Sequence, residues 1–151
     1  MKIEKNYMEI KFNALSINEG FARTVVASFA LQLNPTLEEL NDIKTAVSEA
    51  VTNCVVHAYP NKKGDVTITC NIVDDDIYIT VKDDGVGIED VEKAKEPFYT
   101  TKPDQERSGM GFAVMESFMD GVEVQNNING AGLSVTMHKK IKTSLSEAVC
   151  E

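Results

Sequence analysis

Three polar residues suited to metal binding and proton transfer recur at four-residue steps in the first half of the chain. Glu49, Asn53 and His57 stand at i, i+4 and i+8, so in an α-helix they lie above one another on one face. The amide oxygen of Asn53 suits Mg2+, which commonly takes few protein ligands. Glu49, one turn away, can orient or deprotonate a hydroxyl group that attacks a γ-phosphate. The row predicts a catalytic base beside a magnesium site, with His57 in a supporting role; a solvated polar face is the alternative.

Two glycine-rich segments, residues 83–87 and 108–111, let the backbone approach a bulky ligand closely. Neither contains the GxxxxGK[ST] or the GxGxxG pattern of other nucleotide-binding loops. A buried carboxylate at Asp83 can accept a hydrogen bond from an exocyclic amine, which favours adenine at that end. The second segment opens a short helix, whose free N–H groups suit phosphates. The predicted nucleotide-binding residues here are Asp83, Gly85, Gly87, Ser108, Gly109, Met110 and Gly111.

The stretch between these segments, residues 89–108, is charged, weakly periodic and long for so small a chain, which is typical of a functional loop. Its hydroxyl and basic side chains can close over a γ-phosphate and neutralise the charge that develops there. These predicted lid residues are Thr100, Thr101, Lys102 and Arg107. Taken singly, each glycine segment can be explained as an ordinary turn rather than as a nucleotide-binding segment. In combination they predict ATP with Mg2+ as the ligand.

One long helix, residues 37–59, is needed to position the polar row. Thr36 and Glu39 form a capping box at its start, and Pro60 ends it. Its apolar residues recur at three- and four-residue steps, which predicts one face buried against a sheet. These residues are Leu40, Ile43, Val47, Val51, Cys54 and Ala58.

A preceding helix is expected to open at another capping box, formed by Ser16 and Glu19, and to stop before Pro35. Arg23 lies on this helix away from its apolar stripe. That stripe is expected to comprise Phe21, Val25, Phe29 and Leu33.

Alternating apolar residues predict strands in five places, with a short helix before the last two. The predicted strands span residues 7–14, 66–72, 77–81, 122–128 and 133–138. Hairpins outnumber possible parallel crossovers in this order. The predicted fold class is therefore α+β, a two-layer α/β sandwich with helices on one face of a mixed, mainly antiparallel sheet. A single domain over residues 1–140 and a frayed tail over residues 141–151 are expected.

The composition limits the kinds of binding partner and the cellular location that are expected. With 15 basic and 24 acidic residues, the net charge of −9 argues against nucleic-acid binding and favours a protein partner. No apolar run is long enough to span a bilayer and no signal peptide is evident, so no membrane association and a cytoplasmic location are expected. The 3 cysteines lack metal-site spacing and are expected to be reduced, with Cys54 and Cys70 in the core.

Three short motifs resemble those of a known superfamily. EAVTN at residues 49–53, DDGVG at 83–87 and GMG at 109–111 are similar to the N box and the two glycine boxes of the Bergerat-fold (GHKL) ATPases and kinases, the gyrase, Hsp90, histidine kinase and MutL group. The resemblance covers residues 8–139. Within that group, the segments ALSINEGFAR, SEAVTNCVVHAY, FYTTKP and ERSGMGF resemble the sporulation anti-sigma F factors, which are small serine kinases.

This resemblance implies ATP with Mg2+, a homodimer, inhibition of a sporulation sigma factor of RNA polymerase, and phosphorylation of a serine on an anti-anti-sigma factor. It implies that Asn53 holds the metal, that Glu49 is the base and that Asp83 binds the adenine amino group. Relatives often have Gly-Thr where this chain has GLS, so Ser134 is expected to supply the adenine-side hydroxyl. Arg23 lies in a matching segment outside the nucleotide boxes and is a candidate partner contact. ATP and ADP are expected to select different partners.

Three other functions stay open at this point. The sequence is also consistent with a general-stress anti-sigma kinase, with an anti-sigma module for which ATP is only a structural ligand, and with the catalytic domain of a histidine kinase. The last is disfavoured because no helical hairpin with its own phosphoacceptor histidine is found upstream. Transfer of phosphate to a serine separates the kinase from the module.

Overall fold

The computed structural model of the protein describes residues 4–59, 63–86, 111–127 and 132–142. None of the helices in those ranges is long and apolar enough to cross a bilayer. In chain order the elements are β1 (Lys5–Asn13), α1 (Asn18–Ala30), a 3-10 turn (Leu31–Leu33), α2 (Leu37–Asn53), a π-helical turn (Cys54–Ala58), β2 (Asp65–Val73), β3 (Asp76–Asp83), α3 (Gly111–Phe118), β4 (Gly121–Asn126) and β5 (Leu133–Lys140).

The strands form one 5-stranded sheet in the order β1-β2-β3-β5-β4. Ile68, Val81 and Val135 lie side by side across its three central strands. Every strand pair described is antiparallel, which agrees with the mainly antiparallel sheet that the sequence predicts; the parallel pair of a mixed sheet is not found among the described strands. Of these strands, only β2-β3 and β4-β5 are pairs that follow each other directly in the chain; β1 pairs with β2 across two intervening helices, and β5 lies beside β3 with β4 on its outer side.

One face of the sheet is buried and the other faces solvent. In β3, alternate residues are buried while those between them are exposed or half-buried. The buried strand residues belong to the same apolar cluster as the buried residues of α1, α2 and α3. The helices therefore cover one face of the sheet, which confirms the predicted α+β two-layer fold.

Helix α2 is anchored at its start as its sequence predicts. The Thr36 hydroxyl accepts the Glu39 N–H at 3.1 Å, and the Glu39 carboxylate accepts the Thr36 N–H at 2.9 Å. The predicted apolar stripe is buried from Ile43 to Ala58, with Leu40 half-buried. The backbone changes from α-helical to π-helical at Cys54, so the regular four-residue spacing ends at Asn53 and His57 lies in the π-helical turn.

The start of α1 differs from the prediction. Its N-cap residue is Ile17, which makes no side-chain capping bond, so the expected capping box of Ser16 and Glu19 is wrong. The Glu19 carboxylate instead accepts a hydrogen bond from Arg23 Nη1 at 2.9 Å. A charged partner one turn away competes successfully with the backbone for this carboxylate.

The buried face of α1 also lies one residue away from the predicted stripe. Small residues, Ala22, Ala27 and Ala30 with Val26, are buried, whereas Phe21 is 54% exposed. Short side chains let α1 approach α2 closely, and this packing outweighs the size of the phenylalanine.

A buried lysine ties the end of the sheet to two helices. Lys139 Nζ on β5 donates to the carbonyl oxygen of Phe118, the last residue of α3, at 2.7 Å. The same ammonium lies 3.5 Å from the carboxylate of Asp42 on α2. These contacts hold α3 beside α2, where the predicted site residues lie.

Candidate nucleotide-binding site

The predicted base and metal ligand converge on the first residue of α3. A Cβ atom added at Gly111 would lie 3.2 Å from both terminal atoms of the Asn53 amide and 3.6 Å from Glu49 Oε2. Glu49 and Asn53 are half-buried on α2, four residues apart. Because glycine lacks a side chain, a small space stays open between these two polar groups and α3.

The Asn53 amide has unused hydrogen-bonding capacity in this space. Its Nδ2 atom is buried and has no hydrogen-bond partner among the described residues. A buried N–H donor without a partner costs stability, and such groups in folded proteins call for an explanation such as a water molecule or an acceptor on a bound ligand; the amide oxygen is the atom available to a metal ion. An amide beside a carboxylate, next to an open glycine, fits a magnesium ion that keeps water and phosphate oxygens as its other ligands.

The carboxylate of Asp83 lies at the end of β3 and is 4% exposed. Its Oδ1 accepts the N–H groups of Gly85 at 2.9 Å and of Leu133 at 3.3 Å. Its Oδ2 accepts the S–H of Cys54 at 3.5 Å. Burial raises the pKa of Asp83, and these hydrogen bonds oppose the rise. The result is a buried, oriented acceptor that suits an exocyclic amine.

Cys54 is a hydrogen-bond donor in this contact. Burial raises the pKa of its thiol well above the ordinary value, and the negative charge of Asp83 raises it further. The thiol therefore keeps its proton. Cys54 is a free, buried cysteine, as the sequence predicts.

Gly85 allows the chain after β3 to pass directly over the end of the long helix. A Cβ at this position would overlap the carbonyl oxygen of Ala58. That same oxygen accepts the N–H of Val86 at 2.9 Å. The glycine is therefore required for backbone contact between the π-helical turn and the segment that follows Asp83.

Tyr59 is a site residue that the sequence analysis missed. Its hydroxyl donates to the carbonyl oxygen of Asp65 at 2.6 Å and accepts the N–H of Asp84 at 2.8 Å. Burial raises the pKa of this phenol. The ring thus fixes the backbone beside Asp83, and the only signal in the sequence was an aromatic residue just before Pro60.

Asn127 is a second residue that the sequence did not single out. Its Nδ2 donates to the Asp83 carbonyl oxygen at 2.8 Å, and its Oδ1 accepts the Ser134 hydroxyl at 2.6 Å. Ser134 follows Leu133, and successive strand residues point to opposite faces. Leu133 is buried on the Asp83 side, and Ser134 is half-buried on the other. The predicted contact between Ser134 and adenine stays a prediction.

The remaining predicted residues are placed as follows. His57 is half-buried in the π-helical turn, and Arg23 is on α1, bonded to Glu19 and 3.4 Å from the Ser48 hydroxyl of α2. Several predicted nucleotide-binding and lid residues lie outside the described ranges. They are Gly87, Thr100, Thr101, Lys102, Arg107, Ser108, Gly109 and Met110.

Consecutive residues of the long helix serve the two halves of this site. Asn53, the last residue of α2, faces Gly111, and Cys54, the next residue, contacts Asp83. One helix thus carries the base and the metal-compatible amide, and its next residue contacts the buried acceptor at the end of β3. This arrangement fits a nucleotide that has its purine at Asp83 and its phosphates toward Glu49.

Comparison with known proteins shows an ATPase-type fold. Residues 13–139 match the family model described as the histidine kinase-like ATPase domain. The catalytic domain of histidine kinase ThkA, in nucleotide-free form, has a similar structure with a TM-score of 0.56 at 17% sequence identity. That match covers 89% of this chain and 97% of the ThkA domain, and it concerns the fold alone.

Curated proteins of higher identity are named anti-sigma F factors. The one from Caldanaerobacter subterraneus subsp. tengcongensis is 60% identical over 136 residues, 90% of this chain and 94% of its own length. The one from Clostridium acetobutylicum is 58% identical over the same share of each chain. The one from Bacillus licheniformis is 49% identical over 147 residues, 97% of this chain and 99% of its own length.

Proposed function

The chain belongs to the histidine kinase-like ATPase domain family and, within it, to the anti-sigma F factors, and on that basis we propose that it is an ATP-dependent protein-serine kinase. We propose that it also binds and inhibits a sporulation sigma factor. Its proposed phosphorylation substrate is a serine of an anti-anti-sigma factor. The relatives compared above are all named anti-sigma F factors, which favours the sporulation role over the general-stress role.

The observation that carries the kinase proposal is the grouping of Glu49, Asn53 and Gly111. A carboxylate and an amide with an unused buried nitrogen meet at one open glycine. In the proposed complex Asn53 holds Mg2+ through its amide oxygen, and Glu49 faces the hydroxyl that is phosphorylated. When bound, the metal ion neutralises charge on the phosphate oxygens.

The proposed reaction is phosphoryl transfer from ATP to a serine hydroxyl. The serine oxygen attacks the γ-phosphorus, and the hydroxyl proton passes to the Glu49 carboxylate. The bond between the γ-phosphorus and its bridging oxygen breaks, and the electron pair of that bond remains on ADP. The products are phosphoserine, ADP and a protonated Glu49, which returns its proton to water.

Direct transfer of label tests the kinase proposal. The protein is mixed with γ-labelled ATP, Mg2+ and a candidate anti-anti-sigma protein, and the phosphorylated residue is identified. We expect label on a serine of the added protein. Tight ATP binding without any transfer would favour the module in which ATP is only a structural ligand, and label on a histidine of this chain would favour the histidine kinase alternative.

Asn53→Ala is expected to separate function from stability. The substitution removes the proposed metal ligand, so Mg2+-dependent ATP affinity should fall by about tenfold or more. It also removes a buried nitrogen without a described partner, so the free energy of unfolding without nucleotide should stay within about 1 kcal/mol of the parent value or rise. Calorimetric titration with and without Mg2+ and urea unfolding measure the two quantities.

Asn41→Ala is the matched control for that experiment. Asn41 is an exposed asparagine on the same helix, and its loss should leave ATP affinity and its Mg2+ dependence unchanged. An unchanged metal requirement in Asn53→Ala would contradict the assigned role of Asn53.

The first part of α1, together with the residues just before it, is the proposed contact surface for the protein partners. Leu15, Ile17 and Phe21 are each at least 50% exposed, with Ile17 at 81%. Arg23 lies on the same helix, held by Glu19 at 2.9 Å. Exposed apolar side chains beside an oriented arginine are typical of protein interfaces.

Arg23→Ala is expected to weaken sigma-factor binding by about tenfold or more without changing ATP affinity, because arginine at interface centres commonly contributes about 2 kcal/mol. Lys11→Ala is the control, since Lys11 is another exposed cation in an ion pair, 3.8 Å from Asp65, on the sheet. Binding is measured by calorimetry with ATP and Mg2+ present. Equal effects of the two substitutions would contradict a specific contact at Arg23.

A homodimer and a cytoplasmic location complete the proposal. We also propose that ATP and ADP complexes prefer different protein partners, because the predicted lid residues are expected to contact the γ-phosphate, which ADP lacks. Sedimentation of the pure protein with each nucleotide, alone and with the sigma factor, tests the homodimer and the dependence of partner binding on the nucleotide. A monomer in every condition, or identical sigma affinity with the two nucleotides, would contradict them.

A further inference from the structure

The two oxygens of the Asp83 carboxylate have different surroundings. Oδ1 accepts two backbone N–H groups, from Gly85 and Leu133, so both of its donors are main-chain atoms. Oδ2 is contacted by the Cys54 thiol at 3.5 Å. An oxygen that accepts one weak donor from the described part of the chain keeps acceptor capacity for a ligand N–H group.

The position of the Cys54 thiol determines the direction in which the remaining lone pair of Asp83 Oδ2 points. Cys54 begins the π-helical turn and is 4% exposed, so its side chain is held by the packing of the core. It approaches Asp83 from the helix layer, while the backbone donors approach Oδ1 from the sheet and from the segment after β3. Three donors from three parts of the fold therefore fix the plane of the carboxylate.

We propose that Cys54 is a positioning residue for purine selection, whose thiol holds Oδ2 of Asp83 so that its remaining lone pair meets the 6-amino group of adenine. This inference rests on the proposed function, since it requires that ATP binds with its purine at Asp83. It adds a second residue to the recognition of the base and assigns a polar role to a cysteine on the apolar stripe of the long helix.

The test compares ATP with purine riboside triphosphate, which has hydrogen in place of the 6-amino group. The full chain is titrated with each nucleotide in the presence of Mg2+, and the ratio of the two dissociation constants measures recognition of the amine. In Cys54→Ala we expect this ratio to fall by about three- to tenfold, the range for one hydrogen bond that is lost or misdirected. Cys54→Val, which fills more of the space but also lacks a donor, should lower the ratio similarly.

Two further variants separate positioning from packing. Cys54→Ser places a hydroxyl donor at the same point and should keep the ratio within about twofold of the parent value. Cys70→Ala removes a second buried thiol of the described residues, on β2, whose pKa burial raises to about 12. It should lower stability, as loss of any buried sulfur does, and leave the ratio unchanged.

The outcomes distinguish this inference from the function it rests on. A parent protein that binds both nucleotides equally would refute the adenine contact at Asp83 and the Cys54 role with it. A parent that prefers ATP, with the same preference retained in Cys54→Ala and Cys54→Val, would refute the Cys54 role alone. A ratio that falls in Cys54→Ser or Cys70→Ala as much as in Cys54→Ala would show that only core packing was disturbed.

Discussion

Replacing Glu49 with glutamine is expected to slow serine phosphorylation by at least about a hundredfold and to leave ATP binding nearly unchanged, because general-base catalysis commonly contributes a factor of this size. Glutamine keeps the shape of the side chain beside Asn53 and Gly111 but cannot accept a proton. Initial rates of label transfer at saturating ATP give the first quantity, and calorimetric titration gives the second. A fall in rate without a fall in affinity is the pattern for a group that acts in the transition state.

The matched control is Glu38→Gln, which makes the same change of charge in the first turn of α2, at an exposed position. Its rate and affinity should stay within about twofold of the parent values. If Glu49→Gln retained a rate within about threefold of the parent, Glu49 would not be the base. Equal losses in both variants would point to the net charge of the helix rather than to the site.

Much of the fold could be predicted because its signals are local. The capping box of Thr36 and Glu39 and the three- and four-residue apolar steps define the start and the buried face of α2. The β2-β3 hairpin follows from period-two alternation on either side of an acidic turn, where Asp74 adopts a φ of 55°. In such segments propensity, pattern and turn chemistry agree, so sequence and structure coincide.

The errors lie where tertiary packing overrides local preference. Phe21 has the largest side chain of its segment and was expected in the core, yet alanines form the buried face because α1 and α2 pack closely. Glu19 has the spacing of a capping residue but pairs with Arg23. The π-helical turn at Cys54 carries no pattern of its own, and so the end of the regular row at Asn53 could not be anticipated.

The site was predicted by residue type, but its supporting contacts were not. Glu49, Asn53 and Asp83 have side chains that suggest chemistry wherever they occur. Tyr59 and Asn127 act through hydrogen bonds to backbone groups distant in the chain, and such bonds leave no periodic signal. The spacing between motifs also does not show on which face of the sheet a strand side chain lies, because a shift of one residue in register moves the side chain to the opposite face.

Gly85→Ala is expected to cost about 1–3 kcal/mol of the free energy of unfolding, the usual range for overpacking, and to lower ATP affinity by about tenfold or more. The added methyl group would overlap the carbonyl oxygen of Ala58, a backbone atom that no rotamer change can move. The hydrogen bond from Val86 to that oxygen would have to break or lengthen. Because the Gly85 N–H also bonds to Asp83, the buried carboxylate would be displaced from the proposed purine site.

Gly121→Ala is the control, because a Cβ at Gly121 meets no atom within 4 Å and the residue begins β4 far from this contact. It should leave the free energy of unfolding within about 1 kcal/mol of the parent value, or raise it by restricting the unfolded chain. Urea unfolding of both variants and nucleotide titration of the folded proteins provide the comparison. If Gly85→Ala unfolded at the same urea concentration as the parent and bound ATP equally well, the backbone contact at Ala58 would not be what positions Asp83. If ATP affinity fell by more than the loss of folding stability can explain, Gly85 would instead act directly at the bound nucleotide.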